Sequence, residues 1–160
     1  MIYNLNLIAQ WFKDTGIIEA STIEKQFIKL TEEDGEVAEE LIKPVIDKVA
    51  LGSEIGDKIV VLTGMALFEG LDIKYLDITG YGKCPFEAFM RMAVVNGELA
   101  EAIAKGKDRS FILIDLAACI DGLCKAVGLD KNECARLAYQ KISKRSGQMV
   151  NGIYIKEGDL

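Results

Sequence analysis

Apolar residues recur at helical spacing along nearly the whole chain, and the pattern is interrupted by glycines far more than by its two prolines. Leu5, Ile8, Ala9 and Phe12 show the rule: steps of three and four place them on one helical face. This predicts a first helix from Asn4 to Asp14, closed by Thr15-Gly16. Ser21-Thr22-Ile23-Glu24 reads as a capping box, a hydroxyl followed three residues on by a glutamate. It opens a long helix from Thr22 to Lys43, stopped by Pro44, with Phe27, Leu30, Val37 and Leu41 as its buried stripe. A third helix, Leu51 to Glu69, carries Ile55, Ile59, Leu62 and Ala66 and ends at Gly70. Leu71 to Gly82 reads as a short helix and then a loop. Pro85 suits the first position of a helix running to Lys105. Asp108 caps another that ends at Gly128, and Asp130 with Glu133 opens a last one through Arg145. Beyond Ser146 the period is lost, and Ile153-Tyr154-Ile155 reads as a short extended strand or strap on a mobile tail. The fold class is all-α.

The chain also echoes itself. Phe27-Ile28-Lys29-Leu30 followed by Asp34-Gly35-Glu36-Val37-Ala38-Glu39 returns 62 residues later as Phe89-Met90-Arg91-Met92 and Asn96-Gly97-Glu98-Leu99-Ala100-Glu101. Asp57 and Gly70-Leu71-Asp72 return 58 residues on as Asp115 and Gly128-Leu129-Asp130. Two copies of a helical pair, packed face to face, predict a four-helix core with short flanking helices. The copies are not equal. Glu32, Glu33 and Glu54 of the first become Val94, Val95 and Ile112 in the second. The reading is one domain, 1–160, with an acidic half at 22–72, a degenerate half at 85–145 and a tail at 146–160.

At 160 residues, half of them apolar, such a chain can bury a substantial core. Its net charge of −6 argues against a general phosphate-backbone binder, so no nucleic-acid partner is expected. No charge-free apolar run is long enough to span a bilayer. Met1 to Trp11 shows no basic region, apolar run and small-residue cleavage site. The expectation is a cytoplasmic protein whose four cysteines, lacking any CxxC pair, are reduced thiols. The zero in the composition is the most useful number. With no histidine, Ser-His-Asp and Cys-His triads, His-ligated zinc and the Glu-x-x-His pairs of di-iron bundles are all excluded. Hydrolytic chemistry here has to run on carboxylates, metals, lysines or cysteines.

Carboxylates are where the sequence concentrates. Glu33 and Glu36 stand three apart on the second helix, as do Glu54 and Asp57 on the third, and Glu32 stands four before Glu36. Those spacings stack like charges on one face at a cost of a few tenths of a kcal/mol per pair. Any single glutamate here reads as solvated surface. Four acids on two helices, beside core-facing stripes and with Gly35 and Gly56 inside the helices, read differently. Each such glycine costs about 1 kcal/mol against alanine and is carried for close approach of a backbone or ligand. Two helices pointing paired carboxylates into one gap make a cage of hard oxygen donors, which suits magnesium, with manganese as a substitute.

Lys29-Leu30-Thr31-Glu32-Glu33-Asp34-Gly35-Glu36 followed by Glu54-Ile55-Gly56-Asp57 resembles the ExxE…ExxD pattern of the MazG-type all-alpha nucleotide pyrophosphohydrolases, relatives of dimeric dUTPases and phosphoribosyl-ATP pyrophosphohydrolases. Gly128-Leu129-Asp130 and Ala138-Tyr139-Gln140-Lys141-Ile142-Ser143-Lys144-Arg145 resemble that family's Gly-Leu-Asp turn and Ala-Asn-x-Lys-Phe-x-x-Arg segment. The resemblance runs from Gln26 to Arg145. It implies hydrolysis of a nucleoside triphosphate to monophosphate and pyrophosphate. Glu33, Glu36, Glu54 and Asp57 would then hold Mg²⁺, and Glu32 would orient or deprotonate water. Lys141 and Arg145, with Lys29 and Lys144, would hold phosphates. It implies a homodimer as well.

Two departures matter. The family's asparagine is Tyr139 here, so preference for base or sugar does not carry over. The basic last helix follows the degenerate copy, so it has to reach the acids across the fold or act in a neighbouring subunit. A helix C-terminus also accounts for Lys141, Lys144 and Arg145 through the macrodipole, and the matching segment is what favours phosphate. Trp11 and Phe12 read as core more readily than as a base-stacking pair, and Tyr81 and Tyr154 stay undecided. Rival readings are a dUTP/dCTP-specific or phosphoribosyl-ATP-like hydrolase, and a catalytically idle helical binding protein.

Overall fold

A computed structural model of the chain describes residues 1–159, with the backbone alone at 156 and 159; Leu160, the last residue of the predicted tail, lies outside the described residues. Seven helices follow one another: α1 (Ile2–Asp14), α2 (Ile17–Ala20), α3 (Ile23–Leu41), α4 (Lys48–Phe68), α5 (Pro85–Ala104), α6 (Ser110–Val127) and α7 (Lys131–Ile142). A 3-10 turn at Ile73–Leu76 links α4 to α5, and an antiparallel hairpin of β1 (Gly147–Val150) and β2 (Ile153–Lys156) follows α7. The protein is therefore mostly helical, as expected for an all-α fold. Among the described residues no helix is long and apolar enough to cross a membrane.

Helix ends follow local chemistry, and so do the differences from expectation. Thr22, not Ser21, is the N-cap of α3, accepting from the Lys25 amide at 3.4 Å. α4 starts three residues before its predicted Leu51, because Asp47 caps it, accepting from Val49 at 2.9 Å and Ala50 at 3.2 Å. Asp130 caps α7 through the Glu133 amide at 2.8 Å, as its spacing predicted. That helix stops at Ile142, short of Arg145. The short α2 was not foreseen; Gly16, at φ 70°, turns the chain into it. The hairpin turns at Asn151 and Gly152, both at positive φ. The strand expected at 153–155 is present, and Asn-Gly, the preferred pair for such a two-residue turn, made its pairing into a full hairpin legible as well.

α4 is the centre. It packs against α1, α3, α6 and α7, while α5 packs on α6 and α3. From Leu51 to Ala66 nearly every residue of α4 is buried, not just the predicted stripe. Each fully covered Leu, Ile or Val there contributes roughly 1.5–3 kcal/mol. At the α3–α4–α5 junction lies a polar knot. Lys58 is fully buried, and its ammonium donates to Asp34, which also accepts from the Asn96 amide. Asp34 and Asn96 are the matching positions of the 62-residue echo, so in space the two copies meet at equivalent residues. Burial pulls the Lys58 pKa down and pushes the Asp34 pKa up, with each partner opposing the shift of the other.

Candidate functional site

Glu33 and Glu36 leave α3 one turn apart, and Glu54 leaves α4 toward them. Carboxylate oxygens of the three lie within 4.8 Å of one another. The spacing on α3 aligns its pair, and the close packing of α3 on α4 brings in the third. Glu33 is the innermost, with 3% of its surface exposed. One of its oxygens accepts from Lys29 at 2.9 Å. The other, Oε2, is buried and has no hydrogen-bond partner among the described residues. Burial pushes the Glu33 pKa up to about 7; Lys29 opposes this, while Asp57 and Glu36 add to it. Burial also raises Glu54, against the pull of Lys141, with Glu36 and Asp57 reinforcing the rise. Like charges packed this closely favour protonation unless a cation joins them.

These groups sit in a cleft of about 620 Å³ that Glu32, Asp57, Lys29, Lys141 and Arg145 also line. Lys29 bridges Glu32 and Glu33, at 2.9 Å from each. Burial pulls the Lys29 ammonium down, but bonds to Glu33 and Glu32 leave its pKa raised overall. Asp57 stands apart from the trio and is ion-paired with Lys141, whose ammonium also lies 3.4 Å from the Ser53 hydroxyl. The reach of the last helix is thus made within one chain. Gly56 explains how. A Cβ there would lie 2.7 Å from the Cys134 carbonyl oxygen and 2.9 Å from the Ala138 Cβ. α7 therefore lies directly on α4, next to Asp57. Gly35 does not share this role, since a Cβ there meets nothing within 4 Å.

Of the nine predicted site residues, eight line the cleft and Lys144 does not. Lys144 and Arg145 are adjacent in the turn after α7, so their side chains diverge. Arg145 takes the cleft and Lys144 stays exposed. Sequence reasoning missed Lys25 and Gln26, one turn before Lys29, and the hairpin residues Ile153 and Ile155, and it left Tyr154 undecided. Helical spacing alone could have placed Lys25 and Lys29 on one face. Trp11 lines the cleft and forms edge-on contacts with Phe12, at 5.3 Å between ring centres, and Tyr154, at 5.5 Å. Phe12 is core, as read, with 2% exposed. Trp11 is half-buried and keeps one side on the cleft.

The cleft thus combines a carboxylate cluster, several cations and an aromatic corner. A buried oxygen without a partner, close to two more carboxylates, is a donor set that fits a hard divalent cation. No family model, no curated protein and no solved structure matches this chain.

Proposed function

We propose that this cleft hydrolyses a (deoxy)nucleoside triphosphate to monophosphate and pyrophosphate, in a magnesium-dependent reaction that controls or cleans a nucleotide pool. The observation that carries the reading is the meeting of Glu33, Glu36 and Glu54 within 4.8 Å beside Lys141 and Arg145. Carboxylates alone would repel a polyphosphate, and cations alone would need no buried acid. Together they suit a substrate whose charge is shared between protein and metal.

In this reading Glu33, Glu36 and Glu54 hold Mg²⁺, or Mn²⁺, and Asp57 joins them when Lys141 turns to phosphate. Bound there, the metal would neutralise phosphate oxygens and polarise the scissile anhydride. Arg145, with its planar fork, and Lys141 bind the remaining phosphate oxygens, and Lys29 is placed to add charge. Glu32 is more than half exposed at the cleft, which suits a carboxylate that positions and deprotonates water. Trp11 and Tyr154 offer the apolar surface for a base. A volume of about 620 Å³ is adequate for a nucleotide. We further infer that α3–α4 and α5–α6 arose as a duplicated pair forming a four-helix core, and that the protein works as a homodimer.

Turnover of the eight common NTPs and dNTPs with magnesium, read as pyrophosphate, tests the proposal and separates a broad enzyme from a dUTP/dCTP-specific or phosphoribosyl-ATP-like one. Glu36→Gln, which keeps shape and removes one charge, is expected to cut pyrophosphate release at least a hundredfold while the fold survives. Full activity in that variant would remove Glu36 from the site. If the protein is instead an idle helical binder, its melting temperature will not respond to millimolar Mg²⁺ or Mn²⁺, since a real site gains stability from its ligand.

A further inference from the structure

The second helical pair, α5 and α6, encloses a cleft of its own, about 730 Å³, walled on one side by the segment from Gly80 to Cys84. Part of its lining falls at positions equivalent to those that line the first. Arg91 falls where Lys29 stands, Asp115 where Asp57 stands, and Gly122 where Gly64 stands. Two of the clustered acids have gone: Val95 and Ile112 replace Glu33 and Glu54. Among the described residues no carboxylate cluster of the first kind occurs there, so the cleft has cations without a metal cage.

Its wall is held firmly. The Gly80 amide donates to Asp121 at 2.8 Å, Lys125 donates to the Gly80 carbonyl at 2.9 Å, and the buried Lys131 donates to the Ile78 carbonyl at 2.6 Å. A Cβ on Gly80 would lie 1.7 Å from the Ala118 carbonyl oxygen, and one on Gly122 2.5 Å from that of Tyr81. The segment therefore lies backbone-on-backbone against α6. On this mount Tyr81 is 75% exposed, with the Lys83 ammonium 5.7 Å from its ring centre. An aromatic ring carried on a fixed backbone and left in solvent offers stacking surface. Arg91, beside the buried Cys119 thiol, takes part in none of the ion pairs among the described residues.

We propose that this second cleft is a metal-independent site for a nucleoside monophosphate, with phosphate on Arg91 and Lys83 and the base against Tyr81. The choice of a nucleotide rests on the function proposed for the first cleft; the site itself rests on its own residues. Arg91 can grip two phosphate oxygens at once. Asp115 and Glu87 also line the cleft, and they suit ribose hydroxyls while disfavouring the heavier charge of a triphosphate.

Calorimetric titration of the full chain with AMP, GMP, CMP and UMP in EDTA is the test, with inorganic phosphate as a control. At least one monophosphate is expected to bind without metal, equally in wild type and in Glu36→Gln. Arg91→Ala and Tyr81→Ala, both at exposed positions, should each weaken that binding at least tenfold and leave pyrophosphate release at saturating substrate unchanged. Lack of binding by all four, binding indifferent to Arg91→Ala, binding lost instead in Arg145→Ala, or inorganic phosphate binding as tightly would each overturn the proposal. Pyrophosphate release that fails on every substrate while Arg91-dependent binding persists would sink the first reading and leave this site standing.

Discussion

Glu33 concentrates the physics of the acidic site. Its carboxyl is buried, half-satisfied and pushed up to about 7. The unfolded chain holds the same group near the ordinary glutamate value of 4.5. A raised acid stabilises the fold fully below that unfolded value, and the contribution is lost as pH rises through the folded one. Metal-free protein should therefore lose stability between about pH 4.5 and 7.5 from this group. Magnesium binds the charged form, so millimolar Mg²⁺ should restore melting temperature most at pH 8 and least at pH 5. A melting series across that range, with and without Mg²⁺, checks the sign; equal metal effects at both pH values would contradict it. Glu36 is one of the groups that raise Glu33, so Glu36→Gln should also flatten the metal-free slope.

Between elements, the decisive contact is α7 on α4. Gly56→Ala puts a methyl 2.7 Å from a backbone oxygen, where neither helix can give way cheaply. Overpacking of this kind costs about 1–3 kcal/mol. It would also lift Lys141 from Asp57, so pyrophosphate release should fall together with stability. Gly35→Ala is the matched control. Open space surrounds that position, and alanine should raise stability by up to about 1 kcal/mol through helix propensity. Chemical denaturation of the two variants should give opposite signs. A loss in both would mean that α3 carries Gly35 for a reason other than packing.

Across the molecule, Lys58, Asp34 and Asn96 join the two helical pairs in a buried knot. Removing one partner leaves an uncompensated buried charge, so Lys58→Met alone should destabilise by about 3–5 kcal/mol. Lys58→Met with Asp34→Leu removes both charges and should recover most of that loss, since buried ion pairs exchange well for apolar pairs of similar volume. Equilibrium unfolding of the single and double variants measures the coupling. Additive losses would mean that the two charges do not depend on each other.

Much of this was readable from periodicity and end chemistry, because helices are local. Apolar steps of three and four, Pro85, Asp130 and the closing glycines act through neighbours a turn away, so they specify helices α1 and α3–α7 without knowledge of the fold. The spacing of Glu33 to Glu36 and of Glu54 to Asp57 is equally local, and it singled out the acids that line one cleft. What needed the tertiary structure was everything that depends on which surfaces meet. The burial of Lys58, the pairing of Asp57 with Lys141, the exclusion of Lys144 and the folding of the hairpin over the cleft come from contacts between residues 24 to more than 80 positions apart. Gly35 and Gly56 show the limit most clearly: identical in sequence logic, they differ only because α7 covers one and solvent covers the other.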